Sequence, residues 1–435
     1  MRLLLLLPFA VLGACHGGGV ATDTPDASSP PDASPDGATG CPAGKAGAAC
    51  ILDLYDRAAA CDPAVVTELR VELDLRAELG PLWANGRALF RTVTPTHVAG
   101  TFNEWSTTAL ASSAVCNSDL VVAVGPVASG FHQYKLFDGQ SWLLDGNNPA
   151  FAYDDFSGNP DGQNSVLATS DSGRGYLVRL DNVCSTALGN CRDVTAYLPP
   201  GYDALDAVAR TYPVLFMHDG QNVFDDHDCC FGHTGWEVNV ALDDEIGAGR
   251  VAPVIVIGVA STTDRNAEYG LSPTKLAAFL EFFQVELQPR VLAKVRWNHQ
   301  RLAVAGSSLG GLVAMSQVLA YPETYAGGAS LSGAFWPGLE DGTAVRDKLA
   351  AVGKQPVAIY LDHGGAAANN SDGAADTIDL RDRMIGLGWH RADSPDCTPG
   401  PDALCYHSEP GATHDELAWK ARTWRFLRFL FPRPV

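Results

Sequence analysis

Two hydrophobic rhythms divide the chain. From about residue 175 onward, short and nearly continuous apolar runs ("RDVTAYLPP", "YPVLFMHDG", "APVIVIGVA", "QRLAVAGSS", "GGASLSG", "QPVAIYLDHG") alternate with longer windows at helical spacing, such as "PTKLAAFLEFFQVELQPRVLAKV". Strands with no polar alternation are strands buried on both faces, so this pattern predicts a mostly parallel sheet covered by helices, an α/β domain over 175–435. Before it, "RALFRTV", "THVAGTFNEW", "LVVAVG", "FHQYKLFDG" and "SWLLDG" are short, alternating and separated by Gly, Asn and Asp. They predict a small β-sandwich, which together with a helix opening at Asp62-Pro63 occupies 41–170.

Residues 16–40, "HGGGVATDTPDASSPPDASPDGATG", have neither rhythm and read as a flexible tether. Ahead of them Met1-Arg2 precedes "LLLLLPFAVLGA", too short to span a bilayer and suited to an export signal. It runs into Leu12-Gly13-Ala14-Cys15, which resembles a bacterial lipoprotein signal, so residues 1–15 are expected to end in acylation of Cys15. An ordinary secretory signal cleaved nearby is the alternative. The resemblance implies a lipid-anchored protein of the bacterial envelope, with His16 rather than aspartate favouring the outer membrane.

The chain of 435 residues is 46% hydrophobic and 18% charged, enough apolar material for two folded units. Its formal charge of −20 excludes a nucleic-acid partner held by phosphate contacts. Of the 11 cysteines, Cys15 is set aside for lipid, leaving an even set for an oxidising compartment. Cys184–Cys191 and Cys397–Cys405 are expected to staple loops, and Cys41, Cys50, Cys61 and Cys116 to pair within their own domain. Cys229 and Cys230 are adjacent, an awkward geometry for a bridge.

Gly306-Ser307-Ser308-Leu309-Gly310 fits G-x-S-x-G with Ser308 at its centre, between a buried strand pattern and the helical "LGGLVAMSQVLAYP". A serine on such a strand-to-helix turn is a nucleophile or part of a tight structural turn; the context favours the nucleophile. A hydroxyl needs a base, and His414, in the loop before the C-terminal helix, is in place for it. His407 competes by position but sits in the strand-like "LCYHSEP". The acid is expected after "PVAIYLD": Asp372 is chosen, Asp376 is the alternative, and Asp362, Asp379 and Asp382 lie on the strand or the following helix. The N–H groups of Leu309 and Gln221 are the expected oxyanion donors.

"VLFMHDGQNVFDD", "GWEVNVALDDEI", "VIGVASTTDRNAEY", "GSSLGG" and "GATHDELAW", in this order, resemble the esterase family that includes enterochelin (siderophore) esterases, feruloyl esterases and mycolyltransferase-like proteins. The resemblance covers about residues 175–433. It implies an α/β-hydrolase fold, Ser308 as nucleophile, His414 as base, no cofactor or metal, and a small-molecule or carbohydrate-linked ester as substrate. Arg265 and Tyr269 match the family's R-x-x-E-Y segment, which implies substrate positioning, with structural packing the alternative. Members commonly carry an acid soon after the YLD strand, where this chain has Gly365-Ala366-Ala367, so the acid has shifted along a longer loop.

"VAGTFNEWS" with "YKLFDGQSWLLDGNNP" and "GQNSVL" resembles the immunoglobulin-like N-terminal domains of starch-branching and debranching enzymes. Trp105, Trp142 and Tyr134 there either stack on a sugar or fill a core. The His, Asp and Cys run from His218 to His233 lacks ligand spacing for a catalytic metal. The reading is a serine carboxylic ester hydrolase acting on siderophore-type or hydroxycinnamoyl or acetyl-carbohydrate esters. An acyltransferase with the same triad, or a non-catalytic carbohydrate-binding protein, would share the fold.

Overall fold

The structure, a computed structural model, describes residues 47–75, 80–94, 96–153, 162–203, 209–224, 235–336 and 344–433. The expected export signal, Cys15 and the tether lie outside these residues, as do Cys41, His227, Cys229, Cys230 and His233.

Helices α1 (Ala48–Ala58) and α2 (Pro63–Asp74) open the described chain. The second starts as its sequence predicts: the Asp62 carboxylate accepts from Ala64 N at 2.9 Å, and Pro63 stands where no N–H is needed. Both helices cover one face of a small antiparallel sheet, ordered β1 (Leu82–Ala84), β2 (Arg87–Thr92), β5 (Val121–Pro126), β4 (Ser113–Ala114). Alternation decides the sides. Leu89 and Val122 face Ile51, Leu54 and Leu69, whereas Ala88, Phe90 and Ala123 face Tyr134, Leu136 and Leu167. The Cys61–Cys116 disulfide ties the helices to this region. Cys50 is also in a disulfide.

Tyr134, Leu136 and Leu167 belong to a second layer: β3 (His97–Gly100), β6 (Phe131–Phe137), β7 (Trp142–Leu143), β8 (Ala150–Tyr153) and β9 (Gln163–Ala168). Tyr134 is fully buried and donates to Asp145 Oδ2 at 2.6 Å, so it is core and not a sugar platform. Trp142 is exposed, with its ring edge toward Trp105.

The remaining strands are β10 (Tyr176–Ser185), β11 (Asn190–Leu198), β12 (Val214–His218), β13 (Ile255–Val259), β14 (Leu302–Ser307), β15 (Tyr325–Leu331), β16 (Ala358–His363), β17 (His390–Asp393) and β18 (Ala403–Ser408). They run side by side as β17-β18-β16-β15-β14-β12-β13-β11-β10, parallel from β17 to β13 and antiparallel from β13 through β11 to β10. The sheet does not stop there. β10 pairs with β8 through Leu177–Phe151 and Val178–Ala150, and the ladder continues through β9 and β6 to β3. The two regions expected as separate folded units, 41–170 and 175–435, thus share one sheet.

Helices α3 (Val238–Gly247) and α9 (Glu416–Leu430) cover one face, burying Val238, Leu242, Trp419 and Phe426 against Leu215, Val256, Ala305 and Tyr360. The other face carries α4 (Pro273–Phe282), α5 (Gln288–Leu292), α6 (Leu309–Ala320), α7 (Ala344–Val352) and α8 (Ala374–Gly386). The window 273–295, expected as one helix, instead passes through a wide π turn at Phe283–Leu287 between α4 and α5. Pro289 follows at once; it lacks an N–H and crowds the preceding turn, so regular α geometry is lost there. A mostly parallel sheet with helices on both faces and the strand-to-helix turn of β14 make this an α/β-hydrolase fold. Among the described residues, no helix is long and apolar enough to cross a membrane.

Candidate active site

Strand β14 lies in the middle of the sheet, between β12 and β15, and all six of its residues are buried. Helix α6 follows directly and is buried from Leu309 to Leu319. Only Ser308, between the two, is partly exposed. Its backbone is at φ 53°, ψ −123°, a conformation that costs a side-chain-bearing residue on the order of 1–3 kcal/mol. Its neighbours hold it there: Ser308 N donates to Leu331 O at 3.0 Å, and its own carbonyl accepts from Ala334 N at 3.0 Å. Strand and helix meet so closely that a Cβ on Gly306 would stand 2.5 Å from the backbone of Gly310. The turn therefore demands glycine at 306, and Ser308 is lifted out of two buried runs. Leu309 opens the helix, so its N–H has no intrahelical acceptor and sits at the positive end of the helix dipole.

The loop after β16 carries Asp372, whose side chain is 2% exposed. His414 Nδ1 donates to its Oδ1 at 2.5 Å, from the loop between β18 and α9. The other oxygen, Oδ2, accepts from Ser332 Oγ at 2.6 Å and from Gly364 N. His414 is followed by Asp415, which caps α9 by accepting from Ala418 N at 3.0 Å, so the start of that helix sets the position of the histidine. Its ring lies edge-on to Trp419, centroids 5.1 Å apart, and its side chain is 40% exposed.

His414 makes no hydrogen bond to Ser308 among the described residues. Unliganded sites often have this contact long, tightening it only around substrate. The two halves are nonetheless joined through one segment: Leu331 and Ala334 bond the backbone of Ser308, and Ser332 between them bonds Asp372.

The other acid candidates are committed elsewhere. Asp376, in the first turn of α8, accepts from Arg346 Nη2 at 2.6 Å and Asn370 Nδ2 at 2.7 Å. Asp362, next to last in β16, is fully buried against Arg422. Asp379 pairs with Arg383 and Asp382 with Arg381, on the exterior of α8. His407 pairs with Glu409 at 3.0 Å.

Gln221 lies in a short helical turn, Gly220–Asn222, just past β12. Its amide is locked to the loop after β13: Nε2 donates to Ser261 Oγ at 2.9 Å, and Ser261 N donates to Oε1 at 3.0 Å. The preceding Asp219 has φ 57° and is gripped by Arg265, Nε to Oδ1 at 2.6 Å and Nη2 to Oδ2 at 2.7 Å. Tyr269, which the family resemblance assigned to substrate positioning, is 1% exposed, and its hydroxyl accepts from Asp219 N at 3.4 Å. Buried there, it fits the packing alternative. Arg265 likewise spends its fork on Asp219, so the pair shapes the loop that bears Gln221.

Beneath that loop, His218 is buried; Nε2 faces Gln317 Oε1 at 2.6 Å, and burial pushes its pKa down to about 4. Among the described residues no group of three His, Cys, Asp or Glu side chains is arranged to hold a metal ion. Ser332, Trp419, Arg422 and Asp219 were not singled out in the sequence. Trp419 and Asp219 stood inside recognisable motifs, whereas a serine in "SLSG" carries no signal of its own.

The family model described as "Putative esterase" matches residues 185–384. An uncharacterized protein, YbbA of Bacillus subtilis (strain 168), is 24% identical over 163 residues, 33% of this chain, and the chain spans 58% of that protein's length. Among solved structures, a ferulic acid esterase is similar at 17% identity and a TM-score of 0.46, covering 59% of this chain and 98% of its own. The enterobactin esterase FES from Shigella flexneri, in the presence of 2,3-di-hydroxy-N-benzoyl-glycine, covers 80% of this chain and 95% of its own, at 18% identity and a TM-score of 0.43. The esterase-family match thus falls on the α/β part of the chain, over residues 185–384.

Proposed function

We propose that the protein is a serine carboxylic ester hydrolase that works through an acyl-enzyme. The observation that carries this reading is a partly exposed serine in a strained strand-to-helix turn, tied through the 331–334 segment to a hydrogen-bonded Asp372–His414 pair. Ser308 Oγ attacks the ester carbonyl carbon while His414 Nε2 takes the hydroxyl proton. Asp372 keeps the imidazole in the tautomer with hydrogen on Nδ1 and stabilises the imidazolium that forms. The N–H groups of Leu309 and Gln221 receive the oxyanion. The alcohol departs with the proton from His414, and water, activated by the same imidazole, releases the acid and frees Ser308.

The match to the esterase family and its pattern of motifs support an ester of a small molecule, of the siderophore or hydroxycinnamoyl and acetyl-carbohydrate kinds. A lipid on Cys15 would tether the enzyme to the bacterial envelope; the sequence at residues 1–15 supports this, and incorporation of labelled fatty acid that is lost in Cys15→Ala would test it.

The decisive experiment is turnover of p-nitrophenyl acetate by Ser308→Ala, together with labelling by a fluorophosphonate probe. Turnover is expected to fall by at least about 10⁴-fold and labelling to vanish. A variant that hydrolyses the ester at the parent rate overturns the reading.

A further inference from the structure

Beneath the Asp372–His414 pair lies a hydroxyl that the mechanism above does not use. Ser332 is fully buried and follows the last residue of β15. Its φ is 49°, in the left-handed region that disfavours a residue with a Cβ. Its backbone N donates to Asp362 O at 3.0 Å, which pins the peptide in this conformation. Such strain persists only where surrounding contacts over-determine it, and it is often found at functional sites.

The contacts of its oxygen settle the direction of the hydroxyl's own hydrogen bonds. Trp419 Nε1 lies 3.1 Å from Ser332 Oγ and Arg422 Nη2 lies 2.9 Å away. Indole and guanidinium groups can only donate. They occupy both acceptor positions of the hydroxyl, leaving its single proton for Asp372 Oδ2 at 2.6 Å. That oxygen also accepts from Gly364 N, so both of its partners are donors and it is fully occupied. The other oxygen, Oδ1, is thereby aimed at Nδ1 of His414, where a carboxylate accepts the Nδ1 hydrogen. Nε2 is left as the basic nitrogen.

We infer that Ser332 is a positioning residue, whose hydroxyl aims Asp372 at His414 and relays the buried Arg422 cation to that carboxylate. The inference rests on the serine-hydrolase reading and deepens it. Arg422 is itself held by Asp362, Nε to Oδ2 at 3.1 Å, with both side chains fully buried. The relay therefore starts from a fixed charge and ends at the imidazole. Charge-assisted hydrogen bonds of this kind are the strong ones, and they are geometrically exacting.

The test uses Ser332→Ala and Ser332→Gly in the full chain. Glycine removes the hydroxyl but relieves the left-handed backbone, so it separates lost chemistry from lost folding. Both variants are expected to lower kcat on p-nitrophenyl acetate about 10- to 100-fold with KM unchanged. Both should also lose the far-downfield proton resonance of His414 Nδ1–H, which a merely structural serine would leave in place. If Ser332→Gly keeps the parent kcat and that resonance, the inference is overturned. Should that happen while Ser308→Ala is inactive, the serine-hydrolase reading stands without the relay. If Ser308→Ala is fully active, the reading itself fails.

Discussion

Arg265 grips Asp219 with two parallel hydrogen bonds of 2.6 and 2.7 Å, across the base of the loop that presents Gln221. The carboxylate is 6% exposed, so truncating its partner leaves a buried, unpaired charge. Arg265→Ala is expected to lower unfolding stability by about 3–5 kcal/mol, measured by urea denaturation. If that loop supplies an oxyanion N–H as proposed, kcat on p-nitrophenyl acetate should fall about 100-fold. A fall confined to KM would return Arg265 to the substrate-contacting role suggested by its motif.

Two neighbouring aspartates separate cleanly. Asp372→Asn should leave the fold intact and cut kcat by roughly 10³- to 10⁴-fold, since an amide offers His414 the wrong hydrogen-bonding partner. Asp376→Asn affects, among the described residues, the bonds to Arg346 and Asn370. It should cost about 1–3 kcal/mol in thermal or urea unfolding and leave kcat within a few-fold of the parent.

Stability should depend on pH through His218. Burial holds its folded pKa at about 4 against 6.5 for the free group. Between those values the unfolded chain binds a proton that the folded chain refuses. Stability is therefore complete above pH 6.5 and declines as pH falls toward 4, by up to about 3 kcal/mol. Urea unfolding at pH 7 and pH 4.5 measures the decline, and His218→Asn should flatten it relative to the parent.

The disulfides should rank by the loops they close. Cys61–Cys116 spans 55 positions and Cys184–Cys191 spans 7. Chain entropy assigns roughly 4 kcal/mol to the first and roughly 2.5 kcal/mol to the second. Unfolding of the paired Cys→Ala double variants should show the larger loss for Cys61/Cys116. Equal losses would point to native-state contacts rather than loop closure.

Much of this architecture was legible in the sequence because it follows from short-range pattern. Continuous apolar runs announced β12, β13, β14 and β16, and Asp62-Pro63 announced α2. The serine turn was visible because glycine, serine and leucine there answer a steric demand local to ten residues. The acid could only be narrowed to a loop, since which aspartate meets His414 depends on a turn through Asn370, Asp372 and Gly373, all with positive φ. Ser332 was invisible for a related reason. Its importance comes from Trp419, Arg422 and Asp372, which lie 40 to 90 residues away along the chain. Arg265 and Tyr269 showed the opposite limit: their motif placed them near the site, but only the structure shows both bonded to Asp219.

The pairing of Phe151 with Leu177 bears on how the protein can be dissected. Trimming everything before residue 170 would not liberate a smaller catalyst. It would uncover the backbone donors and acceptors of β10 around Leu177, Val178 and Arg179, a bare β edge of the sort that recruits other chains into aggregates. The N-terminal region borders the sheet as a selvedge, and solubility should fail before the proposed activity does when it is removed.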